Sequence, residues 1–234
     1  MAQSSAPSSA PQAHPREKVV HTALVLLAFS AGATDAFAFL ALGGIFTGMM
    51  TGNLVLSGIF TRPEYWHTVV GAATAVLSFA GGAYFGFRMF GAGGAVTPTP
   101  ASVARRLLLP SIVAQALGAV VWALTPAPAG LLPQCIIVAL LAIALSLQTV
   151  AAKMVSDVTG ITTTYVTGTI TTTMQQLADR KVGGTLIRIL TLLTLPLGAI
   201  CATALLTNLP WSAPLLPLAC SAIAALLLHR ALAR

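Results

Sequence analysis

Six apolar runs, each long enough to cross a lipid bilayer, constrain the fold of this chain more than any other feature. They are Val19–Leu42, His67–Phe90, Leu107–Leu124, Leu131–Ala152, Thr185–Leu206 and Trp211–Leu228. A transmembrane helix needs about 17 to 25 mostly apolar residues, because the hydrocarbon core is about 30 Å thick. Only 7% of the residues are charged, which is too few to cover a water-facing surface. The sequence therefore predicts an all-α, polytopic membrane helical bundle with six spans.

Two polar segments with several glycines interrupt this apolar pattern. They are GIFTGMMTGNLVLSG at residues 44–58 and GITTTYVTGTITTTM at residues 160–174. An offset of 116 residues pairs Gly44 with Gly160, Ile45 with Ile161, Thr47 with Thr163, Thr51 with Thr167, Gly52 with Gly168, Ser78 with Thr194, Gly82 with Gly198 and Ala83 with Ala199. A register held without a gap over this distance favours an internal repeat. Coincidence in a low-complexity apolar chain is the alternative.

The charge distribution decides whether these two segments cross the membrane. If both crossed, giving eight spans, Arg88, Arg105 and Arg106 would lie outside, which inverts the positive-inside rule. If both enter and return, giving six spans, the basic connections and both termini are cytoplasmic. Each half of the chain then has three spans, and an odd number requires the halves to insert as inverted repeats. The sequence therefore predicts two half-length re-entrant segments that enter from opposite sides.

These boundaries divide the chain into four parts. Residues 1–18 are predicted to form a disordered cytoplasmic tail, because they are mainly Ser, Ala, Pro, Gln and a few charges. The core of the first membrane repeat is residues 19–90, and residues 91–106 are a cytoplasmic linker. Residues 107–234 hold the remaining spans, including the second repeat at 131–206.

Asp35 is the one acid deep within an apolar run. A charged side chain at a helix centre costs about 2.5 to 3.5 kcal/mol on insertion scales, so an acid there is a candidate functional residue. Its functional interpretation is a proton or cation site, or a substrate contact. The structural alternative is a hydrogen bond to the exposed backbone of the neighbouring Gly/Thr segment, and the two are compatible.

Polar groups of the two interrupted segments complete the predicted substrate or ion site. The candidates are Thr47, Thr51, Gly52 and Asn53 in the first segment, Thr163, Thr167, Gly168 and Thr169 in the second, and Gln148 in the fourth span. Thr51 or Asn53 is expected to cap a helix, and a helix N-terminus at the membrane centre would attract anions or polar groups. For the threonines, packing between helices by small hydroxyl residues is the alternative. Arg188, near a helix end, is expected to extend its charge to the membrane surface.

Several classes of protein are not supported by the sequence. It has no HExxH, GxSxG or P-loop pattern, and one deep acid is too few for an intramembrane aspartyl hydrolase, so we do not expect an enzyme. The three cysteines form no CxxC pair and no histidine cluster accompanies them, so neither a metal nor a cofactor is expected. Nucleic acid is not an expected partner, because no basic stripe with interleaved aromatic residues occurs. The expected partners are the lipid bilayer and a small-molecule or ion substrate.

The stretch GATDAFAFLALGGIFTGMMTGNLVLSG at residues 32–58 resembles the signature of the YoaK-like family of bacterial multi-pass membrane proteins, domain of unknown function 1275. That signature has Gly-x-x-Asp-Ala, then Gly-x-Phe and Thr-Gly-Asn. The later LQTVAAKM and TTTYVTGTITTT are similar to the second-half pattern of the family, although Thr149 stands where an Asn commonly follows the Gln. The resemblance covers nearly the whole chain after residue 18. It implies a multi-pass protein of the bacterial inner membrane and implies no substrate.

The predicted function is that of a small-solute transporter or channel. The alternative is a non-transporting membrane scaffold or regulatory protein whose polar segments only pack. Transport predicts a water-accessible cavity at Asp35 and the Thr-Gly segments, whereas packing predicts a dry, closed core there. For the transporter, Gly52 and Gly168 are predicted near the membrane centre, close to each other and to Asp35.

Overall fold

The computed structural model describes residues 15–90, 99–125, 130–156, 166–179 and 185–230. Its helices are α1 (Pro15–Ala41), α2 (Met50–Gly58), α3 (Tyr65–Arg88), α4 (Pro100–Leu124), α5 (Leu131–Ser156), α6 (Val166–Ala178), α7 (Thr185–Asn208) and α8 (Leu215–Arg230). Six candidate spans are long and apolar enough to cross a membrane, namely α1, α3, α4, α5, α7 and Pro210–Arg230, in which a short 3-10 turn precedes α8. The predicted all-α bundle with six candidate spans is therefore confirmed.

Two helices begin earlier than the apolar runs predicted. Helix α1 starts at Pro15, so the last residues of the predicted tail are helical, and α4 starts at Pro100 within the predicted linker. The reason at α4 is local, because the Thr99 hydroxyl accepts the Ser102 N–H at 3.3 Å and proline suits the first helical position. Residues 1–14 and 91–98, most of the predicted tail and linker, lie outside the described residues.

Two buried clusters sort the helix ends into two layers. One cluster joins Ala23 of α1, Leu107 of α4, Val150 of α5 and Leu228 of α8, and Ala83 of α3 packs against it. Ile187 of α7 packs beside this layer, against Leu24 and Ala152. The second cluster joins Phe37 of α1, Ala75 of α3 and Ile137 of α5, and Val121 of α4 and Leu205 of α7 pack against it. The six long helices therefore alternate in direction along the chain.

The charged residues of the helix ends separate in the same way. The first layer lies at what we call the basic end, where the N-termini of α1, α4 and α7 meet the C-termini of α3, α5 and α8. The helix ends there carry Lys18, Arg88, Arg105, Arg106, Lys153, Arg188 and Arg230. The opposite end has Arg62 and Glu64, together with all three tryptophans, Trp66, Trp122 and Trp211. Trp66 and Trp211 are largely exposed, as is typical of tryptophans at a membrane interface.

Helices α1 and α7 run parallel, and their backbones touch. A Cβ atom at Gly32 of α1 would overlap the carbonyl oxygen of Leu195, and one at Gly198 of α7 would overlap that of Phe29. Small residues at a crossing let two backbones approach closely, which strengthens helix packing where lipid removes any hydrophobic driving force. This crossing holds α7, including its internal Pro196, against the middle of α1.

Helices α3 and α5 form a second parallel pair with the same design. A Cβ atom at Gly82 of α3 would overlap the Ser146 hydroxyl of α5 and lie 3.3 Å from the Ile143 Cα atom. One turn later, a Cβ atom at Gly86 would lie 3.3 Å from Val150. The α1–α7 pair makes the most extensive contacts between helices in the described part of the chain, and α3–α5 is among the next most extensive.

Candidate functional site

The connection between α1 and α2 folds back onto the side chain of Asp35. The carboxylate oxygen Oδ1 accepts the Thr47 N–H at 2.7 Å, the Thr47 hydroxyl at 3.0 Å and the Gly48 N–H at 2.7 Å. A Cβ atom at Gly48 would lie only 3.1 Å from the other oxygen, Oδ2, so glycine permits this close approach. The N–H groups of Thr47 and Gly48, in the non-helical backbone before α2, thus have a hydrogen-bond partner inside the protein.

Asn53 closes the same connection from within α2. Its amide group donates to the Phe46 carbonyl at 2.6 Å and accepts the Phe46 N–H at 2.9 Å, and the side chain is completely buried. The expected cap at Thr51 or Asn53 is wrong, because α2 begins after Met49 without a side-chain cap. Asn53 instead lies one turn inside the helix. Its side-chain amide pairs with both backbone groups of Phe46, as the backbone of a neighbouring strand would.

A cavity of about 660 Å³ lies against Asp35. Its polar wall contains Asp35, Gly48, Thr51, Gly52, Thr149 and Thr167. Its apolar wall comes mainly from Phe79 of α3 and from Leu192 and Leu195 of α7. The volume is in the range of small-molecule binding sites, which are mostly apolar with a few polar groups that orient the ligand.

Both short helices begin at this cavity. Met50, Thr51 and Gly52 form the first turn of α2, and Val166 and Thr167 open α6; all five line the cavity. The first N–H groups of a helix have no partner within the helix, and the helix dipole places partial positive charge there. The cavity thus has an acid on one wall and two helix N-termini on others, an arrangement that can bind polar or charged groups.

Four of the predicted site residues line the cavity. Asp35, Thr51, Gly52 and Thr167 share the cavity, whereas Thr47 and Asn53 are buried behind it in the contacts described above. Gly168 and Thr169 belong to the first turn of α6 but do not line the cavity, and Thr169 is 5% exposed. Thr163 lies outside the described residues.

Gln148 does not reach the cavity. Its Nε2 atom donates to the Ser111 and Ser221 hydroxyls, each at 3.0 Å, and Ser221 in turn is 2.9 Å from the Ser30 hydroxyl. The next residue, Thr149, lines the cavity instead. Neighbouring side chains on a helix point about 100° apart, so Gln148 and Thr149 face different surroundings. The polar residue next to Gln148 was the sequence signal that could have identified Thr149 as a cavity residue.

Six long helices, with two short helices whose first residues line a shared cavity, define a multi-span helical membrane protein. The chain belongs to the family described as "Protein of unknown function (DUF1275)", whose family model matches residues 23–227. It is also similar to the UPF0700 transmembrane protein YoaK of Bacillus subtilis (strain 168), with 31% identity over 160 residues, or 68% of each chain. No solved structure matches it significantly. The resemblance to the YoaK-like family is therefore confirmed.

Proposed function

We propose that this protein is a small-solute transporter or channel of the bacterial cytoplasmic membrane. The observation that carries the proposal is the cavity that joins Asp35 to the first turns of both short helices. Irregular backbone and polar groups at membrane depth are tolerated where they line a cavity or are buried in protein. Paired interrupted segments in corresponding places of two halves are the arrangement that many transporters use for their substrate sites.

The lengths of the two short helices support re-entrant segments. Helix α2 has 9 residues, and the described part of α6 has 13. At about 1.5 Å per residue they reach about 14 and 20 Å, less than a hydrocarbon core of about 30 Å. Helix α2 leads toward the opposite end, where its Ser57 carbonyl accepts the Tyr65 hydroxyl at 2.9 Å. Helix α6 leads toward the basic end, where Gln176 meets Arg188 of α7.

The packing of the long helices supports an inverted repeat. The offset of 116 residues places α5 in the role of α1 and α7 in the role of α3. The repeat therefore exchanges the α1–α7 pair with the α5–α3 pair, and both pairs make extensive contacts among the described residues. Gly82 and Gly198, matched by the same offset, each lie at a close approach of their pair, where an added Cβ atom would overlap the partner helix.

The charge separation supports the orientation that belongs to this proposal. The basic end is cytoplasmic under the positive-inside rule. The described parts of both terminal helices, the start of α1 and the end of α8, lie at that end, so both termini are on the cytoplasmic side. The re-entrant segment that contains α2 then enters from outside, and the one that contains α6 enters from the cytoplasm.

The hydrogen bonds to Asp35 favour a second candidate, a non-transporting scaffold or regulatory protein. Three donors converge on one oxygen of this carboxylate, which is a sufficient structural reason for an acid at this place. The two candidates differ in whether water enters the cavity. In a transporter or channel the cavity exchanges with bulk solution in at least one conformation.

Uptake into proteoliposomes tests the proposal. Purified protein is assayed with a panel of labelled amino acids, sugars, nucleobases and inorganic ions, and Asp35→Asn is compared with Asp179→Asn, which alters an exposed acid away from the cavity. We expect uptake of one solute class, lost in Asp35→Asn and retained in Asp179→Asn. Thr51→Cys and Thr167→Cys should also react with a small water-soluble thiol reagent. Absence of uptake combined with unreactive cysteines at both positions would favour the scaffold.

A further inference from the structure

Arg188 is buried, contrary to the expectation that its charge extends to the membrane surface. Its side chain is 5% exposed, and one of its terminal nitrogens, Nη1, donates to Oε1 of Gln176 on α6. Its Nε atom has no hydrogen-bond partner within the described ranges, where no acidic side chain forms a salt bridge with it. A buried charge without a counter-ion is costly, so such a group is normally paired with an opposite charge.

Thr185 contributes a second unused polar group at the same place. It is 6% exposed, and its hydroxyl has no partner in the described part of the chain. Residues three apart lie on one face of a helix, and the Cα–Cβ bonds of a helix tilt toward its N-terminus. Thr185 and Arg188 therefore both extend toward the start of α7, where the first N–H groups have no partner within the helix.

These three features together have the chemistry of an anion site. The guanidinium supplies a fixed positive charge and N–H donors with the geometry of carboxylate and phosphate oxygens. The Thr185 hydroxyl and the first N–H groups of α7 add neutral donors, and the helix dipole adds partial positive charge. A cation would be repelled by every one of these groups except the hydroxyl.

We propose that Arg188, Thr185 and the first turn of α7 bind the oxyanion group, a carboxylate or a phosphate, of the solute that enters the cavity. Arg188 lies one turn before Leu192, which lines the cavity, and one turn is about 5.4 Å along the helix axis. Because both side chains extend toward the start of α7, the anion site lies between the cavity and the basic end and is not part of the cavity lining. The claim that the transported solute is an anion rests on the proposed transport function. The claim that this site binds an anion does not depend on transport.

A phosphate can come from a free solute or from an anionic lipid headgroup. The near-complete burial of both side chains favours the free solute, because a headgroup anchored to a diacyl tail would have to leave the bilayer surface to reach them. The source is separated experimentally by using full-length protein in two kinds of nanodisc, phosphatidylcholine alone or phosphatidylcholine mixed with phosphatidylglycerol.

Thermal unfolding in the presence of sodium phosphate or sodium acetate, with sodium chloride of equal ionic strength as the reference, tests the site. In phosphatidylcholine nanodiscs we expect at least one of the two anions to raise the Tm of the wild type saturably. Arg188→Gln should abolish this shift, and Thr185→Val should weaken the apparent affinity about tenfold, as the loss of one hydrogen bond to a charged ligand implies. Arg105→Gln removes an exposed cation at the same end and should leave the shift unchanged.

If Arg188→Gln does not fold, the comparison of Thr185→Val with Arg105→Gln decides. Equal anion responses in those two variants, or no response of the wild type to either anion, would overturn the site. Stabilisation by phosphatidylglycerol alone would overturn its assignment to a solute. Anion binding that depends on Arg188 without any uptake would refute transport and leave the site. Uptake that is indifferent to Arg188 would refute the solute assignment and leave transport.

Discussion

Oδ1 of Asp35 accepts both the backbone N–H and the hydroxyl of Thr47, at 2.7 and 3.0 Å. These bonds fasten the connection after α1 to the middle of the bundle, because the two residues are 12 positions apart in the chain. Every hydrogen bond that the described residues make to this carboxylate ends on Oδ1, and the residue also lines the cavity. One side chain thus has a structural role and access to a ligand.

We expect Asp35→Asn and Asp35→Ala to differ in stability. Asparagine keeps an acceptor at Oδ1, whereas alanine leaves the buried N–H groups of Thr47 and Gly48 without one. At about 1 to 3 kcal/mol for each of these two unsatisfied groups, the alanine variant should lose about 2 to 6 kcal/mol of unfolding free energy. Denaturant unfolding in detergent measures the difference. Equal losses in the two variants would show that the acceptor does not hold the connection.

Asn53→Asp tests the contact with Phe46. The substitution preserves shape but replaces the amide donor with an oxygen that faces the Phe46 carbonyl. We expect a loss of about 2 to 3 kcal/mol, because a buried acceptor pair replaces a hydrogen bond. Ser57→Ala is the control. The Ser57 hydroxyl donates to the backbone carbonyl of Asn53, and loss of this single hydrogen bond should cost about 1 kcal/mol. An Asn53→Asp variant as stable as wild type would contradict this role.

A glycine series tests the helix crossings. A Cβ atom at Gly198 would overlap backbone atoms of α1, one at Gly82 would meet a serine hydroxyl that can rotate, and one at neighbouring Gly81 has no atom within 4 Å. Gly198→Ala should cost about 1 to 3 kcal/mol by overpacking, and Gly82→Ala should cost less. Gly81→Ala should be neutral or stabilising by about 1 kcal/mol through helix propensity. Any other order of the three melting temperatures would contradict the packing described.

Adjacent substitutions on α5 separate the cavity from the buried polar network. Thr149→Val removes a hydroxyl at the cavity wall and should reduce solute uptake, with the fold intact. Gln148→Leu should leave uptake unchanged. It should also change stability by no more than about 1 kcal/mol, because the loss of the two hydrogen bonds from Nε2 is offset by removal of the buried Oε1 atom, which has no partner in the described structure. If uptake fell in Gln148→Leu and not in Thr149→Val, the solute would pass along the face of α5 that carries Gln148, contrary to this prediction.

Single-cysteine labelling tests the orientation. After Cys135, Cys201 and Cys220 are replaced, Thr61→Cys at the opposite end should react with an impermeant reagent in intact cells. Arg230→Cys at the basic end should react only after permeabilisation, as the positive-inside rule requires. Labelling of Arg230→Cys in intact cells, with Thr61→Cys protected, would reverse the orientation and the assigned entry sides of α2 and α6.

Individual residues show how far sequence reasoning reached into the site. Asp35 could be singled out because an acid within an apolar run has few physical explanations. Thr51 and Gly52 followed from the polar break after α1, and Thr167 from its match at the offset of 116 residues. Asn53 was recognised as a polar residue of this region, but its pairing with Phe46 depends on how the connection folds back. Arg188 was misjudged, since long basic side chains near helix ends usually reach the membrane surface.

The sequence by itself determined the class of protein, the number and length of the long helices and the concentration of basic residues at one end. These properties depend on local composition and on the thickness of a bilayer. Only the tertiary structure decided that Thr149, and not Gln148, faces the cavity and that Arg188 is buried against Gln176. The physical reason is that lipid and protein interior are equally apolar, so a membrane helix carries little periodicity that reveals its buried face. The rotation of each helix is set instead by contacts between distant residues, such as Gly32 with Leu195.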